Sequence, residues 1–288
     1  MRLGVIVPSM SDGSAPTPGW PAMRSFATHA EAVGLDSLWV CDHLLFRFPE
    51  RPEGAAHEVW TILSALAATT SRVELGQLVL CASFRNPGLT AKMAAAADEV
   101  SDGRLILGVG AGWHDPEYAA FGFPTDHRAS RFDEALQIIA PLLRGERVTV
   151  DGRYHRTEDA VLLPAPRRRV PILVAGRGPR MLALTARHAD AWNTAWFGMP
   201  DGQLDERLAD LRAALDAEGR DPATLRLTVG MEWDLGRPDR IDGGSADAMA
   251  RAFEAYDRLG VNDLIISLDP ATEAMLDLVA EARAIWGG

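Results

Sequence analysis

Short runs of apolar residues alternate along the chain with longer segments that carry apolar residues at helical spacing. The runs are nearly continuous in hydrophobic, often β-branched residues, which is typical of strands buried on both faces of a parallel sheet. Eight strands are predicted, at residues 3–8, 37–42, 73–81, 105–110, 172–175, 189–194, 227–232 and 264–268. Eight helices are predicted, at residues 23–33, 60–70, 90–100, 131–143, 179–188, 204–218, 246–259 and 273–285.

This alternation predicts the fold class, an α/β protein with a (β/α)8 (TIM) barrel. The chain has 288 residues, and eight units of about 36 residues match the usual size of such a barrel. We expect one domain, residues 1–288, with a small hairpin inserted around 146–170 and elaborated loops at 44–59, 113–130 and 236–245. A doubly wound sheet is the alternative, but residues 8–14 lack the glycine-rich first turn that usually marks it.

Composition narrows the class of protein. The formal net charge is −11 with a pI near 5.1, which argues against a nucleic-acid partner because phosphate binding needs a basic face. No apolar run reaches the roughly 18 residues of a membrane-spanning helix. The two cysteines, Cys41 and Cys81, are too few for a disulfide framework. We therefore expect a cytoplasmic protein without a membrane segment.

Polar residues at the predicted strand ends are the candidates for chemistry, because a barrel carries its site at the carboxyl ends of its strands. Asp42 and His43 end the second strand, and a histidine there can exchange a proton near neutral pH. The alternative is a histidine that only packs. Asn193, which ends the sixth strand, offers a side-chain hydrogen-bonding group.

Two glycine-rich segments follow other strands. At the end of the fourth strand, Gly108, Gly110 and Gly112 alternate ahead of Trp113. This spacing suggests a strand face left open for a flat ligand; the alternative is that the barrel needs the glycines for packing. In the fifth, residues 175–180 run from strand to helix as Ala175-Gly176-Arg177-Gly178-Pro179-Arg180. Free amides at such a helix start, with two arginines nearby, suit a phosphate.

The chain offers few groups for catalysis by protein side chains alone. Its histidines form no His-x-His or His-Glu-x-x-His pattern, so no metal site is predicted. A Gly-x-Ser-x-Gly elbow and a Walker A loop are both missing. Lys92, the only lysine, falls in a predicted helix rather than at a strand end. These absences favour chemistry borrowed from a cofactor.

The sequence resembles the bacterial luciferase-like family of flavin- and deazaflavin-dependent oxidoreductases over nearly its whole length. The segments that carry the resemblance are residues 31–39 before Asp42-His43, 72–76 before 84–87, 101–104 before 108–113, and 176–180 before 189–193. No single segment is decisive, but their order and spacing together are specific.

The resemblance implies a barrel that holds coenzyme F420 or FMN, with the ring over the strand ends and the phosphate at residues 176–180. It implies that His43, with Asp42 beside it, serves in proton transfer. It also implies a non-prolyl cis peptide at Leu78–Val79 against the ring. Some deazaflavin dehydrogenases have a glutamate where this chain has Trp113, so the resemblance argues against dehydrogenation of a sugar phosphate.

Three functions are compatible with the resemblance. We expect an F420-dependent oxidoreductase that moves hydride between the deazaflavin and a small, partly apolar substrate. The alternative is an FMN-dependent two-component monooxygenase supplied by a partner reductase, and a non-catalytic flavin-binding protein is the third. The family commonly dimerises, and we expect a homodimer through the helices at 60–70 and 90–100.

Overall fold

Eight parallel strands form a closed barrel with helices around its outside. The computed structural model describes residues 1–237, 241 and 243–288. The described strands are β1 (Arg2–Ile6), β2 (Met10–Ser11), β3 (Ser37–Val40), β4 (Leu45–Phe46), β5 (Gly54–Ala56), β6 (Glu74–Gln77), β7 (Leu80–Cys81), β8 (Leu105–Gly110), β9 (Val148–Asp151), β10 (Arg156–Ala160), β11 (Ile172–Ala175), β12 (Ala191–Phe197), β13 (Arg226–Asp234) and β14 (Asp263–Asp269).

The helices lie between the barrel strands, as the alternating pattern predicts. They are α1 (Trp20–Ala32), α2 (Val59–Thr69), α3 (Pro87–Val100), α4 (Asp115–Phe121), α5 (Arg128–Leu143), α6 (Pro179–His188), α7 (Gly202–Ala217), α8 (Ala246–Arg258) and α9 (Glu273–Gly287). No helix in the described part of the chain is long and apolar enough to cross a bilayer.

The barrel closes in the order β1, β3, β6, β8, β11, β12, β13 and β14, with β14 returning to β1. All of these pairings are parallel; Val5 lies opposite Ile266, for example, and Val174 opposite Val109. Both faces of each strand are covered, because alternate side chains enter the barrel interior or pack under the helices. The predicted fold class is confirmed.

The barrel interior is filled around the indole of Trp39. This side chain is 1% exposed and packs with Ile6, Ile106, Leu173 and other interior residues. A Cβ added to Gly76 on the neighbouring strand would lie 2.4 Å from Trp39 Cζ3. A larger residue at position 76 would therefore collide with the ring of Trp39.

The structure departs from the prediction near the carboxyl ends of the strands. The strand predicted at 73–81 is broken at Leu78–Val79 into β6 and β7. The loop predicted at 113–130 contains α4, and the loop predicted at 44–59 pairs β4 and β5 with β2 in a small antiparallel sheet. The expected hairpin within 147–163 is present as β9 and β10. Strands of two or three residues have too little periodicity to be recognised from sequence.

Helices α2 and α3, the predicted dimer interface, are neighbours on the outside of the barrel. Both bury one face against the barrel, through residues such as Leu63 and Leu66 of α2 and Ala91 and Ala94 of α3. The homodimer stays a prediction, which sedimentation at micromolar concentration would test.

A single arginine ties α2 to the amino-terminal end of the barrel. Arg104, just before β8, donates from Nη1 to Val73 O at 2.8 Å and to Thr70 Oγ1 at 2.9 Å. Its Nη2 donates to Ala67 O and Thr70 O, both at 2.9 Å, and its Nε to Ser101 O at 2.7 Å. Carbonyls at the end of a helix have no partner within it, so the guanidinium supplies their hydrogen bonds.

We expect Arg104→Lys to lower the free energy of unfolding by about 2–4 kcal/mol, because a lysine ammonium cannot serve carbonyls of three segments in the way the planar fork does. Denaturant titration measures the change. Arg212→Lys, on the exposed face of α7, is the matched control and should stay within about 0.5 kcal/mol of the parent. Equal small effects of the two substitutions would contradict the assignment.

Candidate active site

The carboxyl ends of the barrel strands surround a cavity of about 720 Å³. Its lining includes most of the sequence-predicted site residues; Gly108, Arg180 and Gly178, which caps the adjacent helix α6, are not part of it. The predicted residues in the lining are Asp42, His43, Leu78, Val79, Gly110, Gly112, Trp113, Ala175, Gly176, Arg177 and Asn193. The structure therefore brings together residues from β3, β6, β8, β11 and β12, and the roles predicted for them stay predictions.

The glycines at the end of β8 and just after it make room for protein atoms. A Cβ on Gly108 would lie 1.9 Å from Gln77 O, and one on Gly110 would lie 2.8 Å from Val79 Cγ2. On Gly112, where φ is +79°, it would lie 1.8 Å from Tyr118 Oη. These contacts support the alternative, that the barrel needs the glycines for packing at its rim. Gly110 and Gly112 also line the cavity, and their role towards a ligand stays a prediction.

Two non-prolyl cis peptide bonds border the cavity. One joins Leu78 and Val79, as the family resemblance implies. The other joins Ala195 and Trp196 at the end of β12 and was not predicted. Both pairs line the cavity.

Asp42 is held by an arginine that the sequence analysis left out of the site. Arg85 donates from Nη1 to Asp42 Oδ2 at 2.6 Å and from Nη2 to Asp42 Oδ1 at 3.1 Å, and the Cys81 amide donates to Oδ2 at 2.9 Å. Burial raises the pKa of Asp42, whereas the guanidinium and the amide oppose that rise. The Arg85 Nη2 also donates to Glu58 Oε1 at 2.8 Å.

The carboxylate that contacts His43 is that of Glu117 in α4. His43 Nδ1 lies 3.1 Å from Glu117 Oε1, and the Leu44 amide donates to Glu117 Oε2 at 2.9 Å. Asp42, which the resemblance places beside His43 in proton transfer, is bound by Arg85 instead, and within the described residues no hydrogen bond joins it to the His43 ring. Glu117 was missed because residues 113–130 were predicted as a loop. Its signal is the start of a short helix, where Pro116 follows Asp115 at the first turn.

His114 anchors the segment that follows His43. The Arg47 amide donates to His114 Nε2 at 3.1 Å, so that nitrogen is the acceptor of a neutral imidazole. Burial lowers the pKa of His114, the carboxylate of Glu117 opposes that effect and the nearby His43 adds to it. Together His114 and Glu117 attach residues 44–47 to the start of α4.

The attached segment forms an aromatic wall on one side of the cavity. The rings of Phe46 and His43 are 4.3 Å apart between centroids. Phe48 stacks with Phe46 at 6.3 Å and with Trp113 at 6.4 Å. Trp113 is 59% exposed although it carries a large apolar ring. We use "aromatic wall" below for Phe46, Phe48 and Trp113, of which Phe46 and Trp113 line the cavity and Phe48 packs between them.

The other side of the cavity carries positive charge beside a helix start. Gly178 caps α6 with φ +88°, and a Cβ there would meet nothing within 4 Å. Arg177 is exposed at this edge, and Arg207 donates to Thr194 Oγ1 at 2.7 Å and to Ala195 O at 2.9 Å. Burial lowers the pKa of Arg207 and the charge of Arg177 lowers it further. Two like charges beside free amides form a site that an anion would stabilise.

Other polar groups near the cavity are committed to the protein. Arg180 donates to Ser130 Oγ in α5 at 2.8 Å, so its side chain does not join the predicted phosphate site. Asn193 donates from Nδ2 to Thr228 Oγ1 at 2.8 Å. Burial raises the pKa of Cys41 to about 12 and that of Cys81 to about 11, so neither thiol is a nucleophile near neutral pH.

No group of three or more possible metal ligands occurs within residues 1–237, 241 and 243–288. The last of the predicted elaborated loops, 236–245, includes residues 238–240 and 242, which lie outside the described residues. The described part of the site has two sides. One carries the aromatic wall and His43, which is held by Glu117, and the other carries Arg177 and Arg207.

Comparisons with known proteins identify relatives of this chain. The family model for luciferase-like monooxygenases matches residues 1–236. An F420-dependent glucose-6-phosphate dehydrogenase of Kineococcus radiotolerans is 37% identical over 211 residues, which cover 72% of this chain and 62% of the relative. The chain thus spans somewhat less than two thirds of that relative's length.

Two solved structures share the fold. An F420-dependent secondary alcohol dehydrogenase in complex with an F420–acetone adduct superposes with a TM-score of 0.80 at 18% identity, covering 98% of this chain and 99% of that one. A monooxygenase from Streptomyces bottropensis superposes with a TM-score of 0.78 at 22% identity, covering 100% of both chains. These two likenesses are evidence of the fold alone.

Proposed function

The chain belongs to the luciferase-like monooxygenase family, and we propose that it is an oxidoreductase that uses coenzyme F420 to exchange hydride with a small, uncharged and partly apolar substrate. The observation that carries this proposal is the arrangement of one cavity, which has an anion-binding edge at α6 and a carboxylate-held histidine at β3. The anion-binding edge follows β11 and the histidine follows β3, and these two strands are three positions apart around the barrel.

The cavity fits such a cofactor. Its volume of about 720 Å³ lies within the range of roughly 300–1,000 Å³ that ligand pockets usually have. The phosphate belongs at Gly178, where the open space in front of the helix amides and the charges of Arg177 and Arg207 favour an anion. Leu78, Val79 and Ala175 supply apolar surface for a flat ring between the two sides.

His43 is the residue that would exchange a proton with the substrate. Coenzyme F420, when bound, supplies the acceptor or donor of a hydride. Oxidation of an alcohol to a carbonyl also releases the hydroxyl proton, and the reverse reaction consumes one, so a group must take or give that proton. His43 Nδ1 faces Glu117, and within the described residues no protein group bonds Nε2. Nε2 is therefore the atom that we assign to the substrate.

The substrate side of the cavity favours an uncharged, partly apolar molecule. The aromatic wall presents ring faces, and Trp196, 40% exposed, adds another. Arg177 and Arg207, the arginines among the described lining residues, lie at the cofactor phosphate edge, while Arg85 is bound by Asp42 and Glu58. A substrate phosphate would thus lack a described cationic partner, which separates this proposal from the glucose-6-phosphate activity named for the relative.

An FMN-dependent monooxygenase supplied by a partner reductase is the second candidate. The observation in its favour is that the phosphate edge suits FMN equally well, since a single phosphate occupies it in either case. The two cofactors differ in what they require from His43. Hydride exchange with a carbonyl needs a proton-transfer group at the substrate, and this is why the held histidine favours F420.

We expect Gly178→Val to weaken F420 binding at least about tenfold without unfolding the protein. The valine side chain would occupy the space in front of the α6 amides, and the backbone at φ +88° would be strained. Gly145→Val is the control, because Gly145 has φ +80° with equally open surroundings but lies outside the cavity. Isothermal titration with F420 measures the effect. If the two variants bind F420 with equal affinity, the phosphate does not bind at Gly178.

We expect His43→Ala to lower turnover by about 10²–10⁴-fold while the F420 dissociation constant changes only a few-fold, because loss of a general acid–base affects the reaction more than binding. The assay follows oxidation of reduced F420 by a panel of apolar ketones and aldehydes. Turnover within a few-fold of the parent, together with weakened cofactor binding, would assign His43 to packing against the ring.

A further inference from the structure

We infer that Glu117 is a positioning residue that determines which ring nitrogen of His43 carries the proton. The inference rests on the proposed function, since the position of that proton matters only if His43 exchanges one with the substrate. Glu117 lies in α4, and the proposed function gives it no contact with the cofactor or the substrate.

The geometry that carries the inference is a two-point contact. Glu117 Oε1 lies 3.1 Å from His43 Nδ1, while Glu117 Oε2 accepts the amide of Leu44, the next residue, at 2.9 Å. One carboxylate thus fixes both the ring and the backbone that carries it. The Glu117 side chain is only 3% exposed and that of His43 13%, so water does not compete freely for these bonds.

The chemistry of the carboxylate assigns the tautomer. An ionised carboxylate has acceptors only, so the Nδ1 that faces it must be the donor. In the neutral ring the proton is then on Nδ1 and the free electron pair is on Nε2. Asp42 cannot take this part because its oxygens accept from Arg85 and Cys81. His114, 6.4 Å from His43 between ring centroids, contacts the Arg47 amide.

The substitution Glu117→Gln tests the tautomer without removing the side chain. The glutamine amide offers one acceptor oxygen and one donor nitrogen. The Leu44 N–H is fixed by the backbone, so the oxygen turns to it and the amino group faces His43 Nδ1. The opposite orientation would set two donors against each other in a buried position. The His43 ring must then accept at Nδ1 and carry its proton on Nε2, where it cannot accept a proton from an alcohol.

The direct measurement is the ¹⁵N NMR spectrum of the imidazole nitrogens in cofactor-free protein, with the His43 signals identified by their loss in His43→Ala. We expect a protonated Nδ1 in the parent at a pH where the ring is neutral and a protonated Nε2 in Glu117→Gln. His114 should show a protonated Nδ1 in both, because its Nε2 accepts the Arg47 amide, and it serves as the internal reference.

The kinetic measurement accompanies it. Glu117→Gln should lower the turnover number for alcohol oxidation by about 10²–10⁴-fold, with KM and the F420 dissociation constant changed by no more than a few-fold. Asp115→Asn is the matched control, since it removes a charge from the same helix start, where Asp115 is exposed and paired with Arg128. This variant should keep turnover within a few-fold of the parent.

The outcomes separate the inference from the proposed function. A parent protein with the His43 proton on Nε2, or an unchanged tautomer in Glu117→Gln, would overturn the inference, and the first result needs no variant to fold. A turnover loss equal to that of Asp115→Asn would overturn it as well. If the tautomer changes as expected but His43→Ala keeps full turnover, Glu117 does position the ring and the proton-transfer role proposed for His43 is wrong.

Discussion

A carboxylate buried at the mouth of a barrel must have its oxygens hydrogen bonded, because an unpaired charge in such a place costs several kcal/mol. Among the described residues two carboxylates are buried at the mouth of this barrel, Asp42 and Glu117, and the arrangement of the site follows from how each is paired. Asp42 draws Arg85 and the Cys81 amide to the end of β3. Glu117 draws the ring of His43 and the amide of Leu44 to α4.

These pairings also build the substrate side of the cavity. Once Leu44 and Arg47 are attached to Glu117 and His114, the segment between them places Phe46 against His43. The cofactor edge is organised differently, by a helix start and two arginines whose mutual repulsion an anion would relieve. One cavity thus combines a cationic edge with a histidine that is held by a carboxylate.

The barrel could be predicted from the sequence because buried parallel strands and their helices leave strong periodic signals over long segments. Candidate site positions could be predicted because strand ends meet at one face, and His43 and Arg177 do line the cavity; their roles stay predictions. The partners of those residues could not be predicted. Glu117 lies on a helix of seven residues, whose start at Asp115-Pro116 is its one local signal. Arg85 reaches Asp42 across 43 positions of sequence, so neither pairing follows from hydrophobic periodicity. The β8 glycines show the same limit, since their spacing does not distinguish a ligand from the Tyr118 and Val79 side chains that in fact approach them.

Selection between cofactors is the sharpest test of whether this cavity holds coenzyme F420 for hydride exchange. Trp113 and Trp196 both line the cavity, so quenching of tryptophan fluorescence reports binding when cofactor-free protein is titrated in parallel with F420 and with FMN. We expect F420 to bind at least about tenfold more tightly than FMN, a difference of about 1.4 kcal/mol. FMN affinity equal to or greater than that of F420 would rule out F420 as the preferred cofactor and favour the monooxygenase.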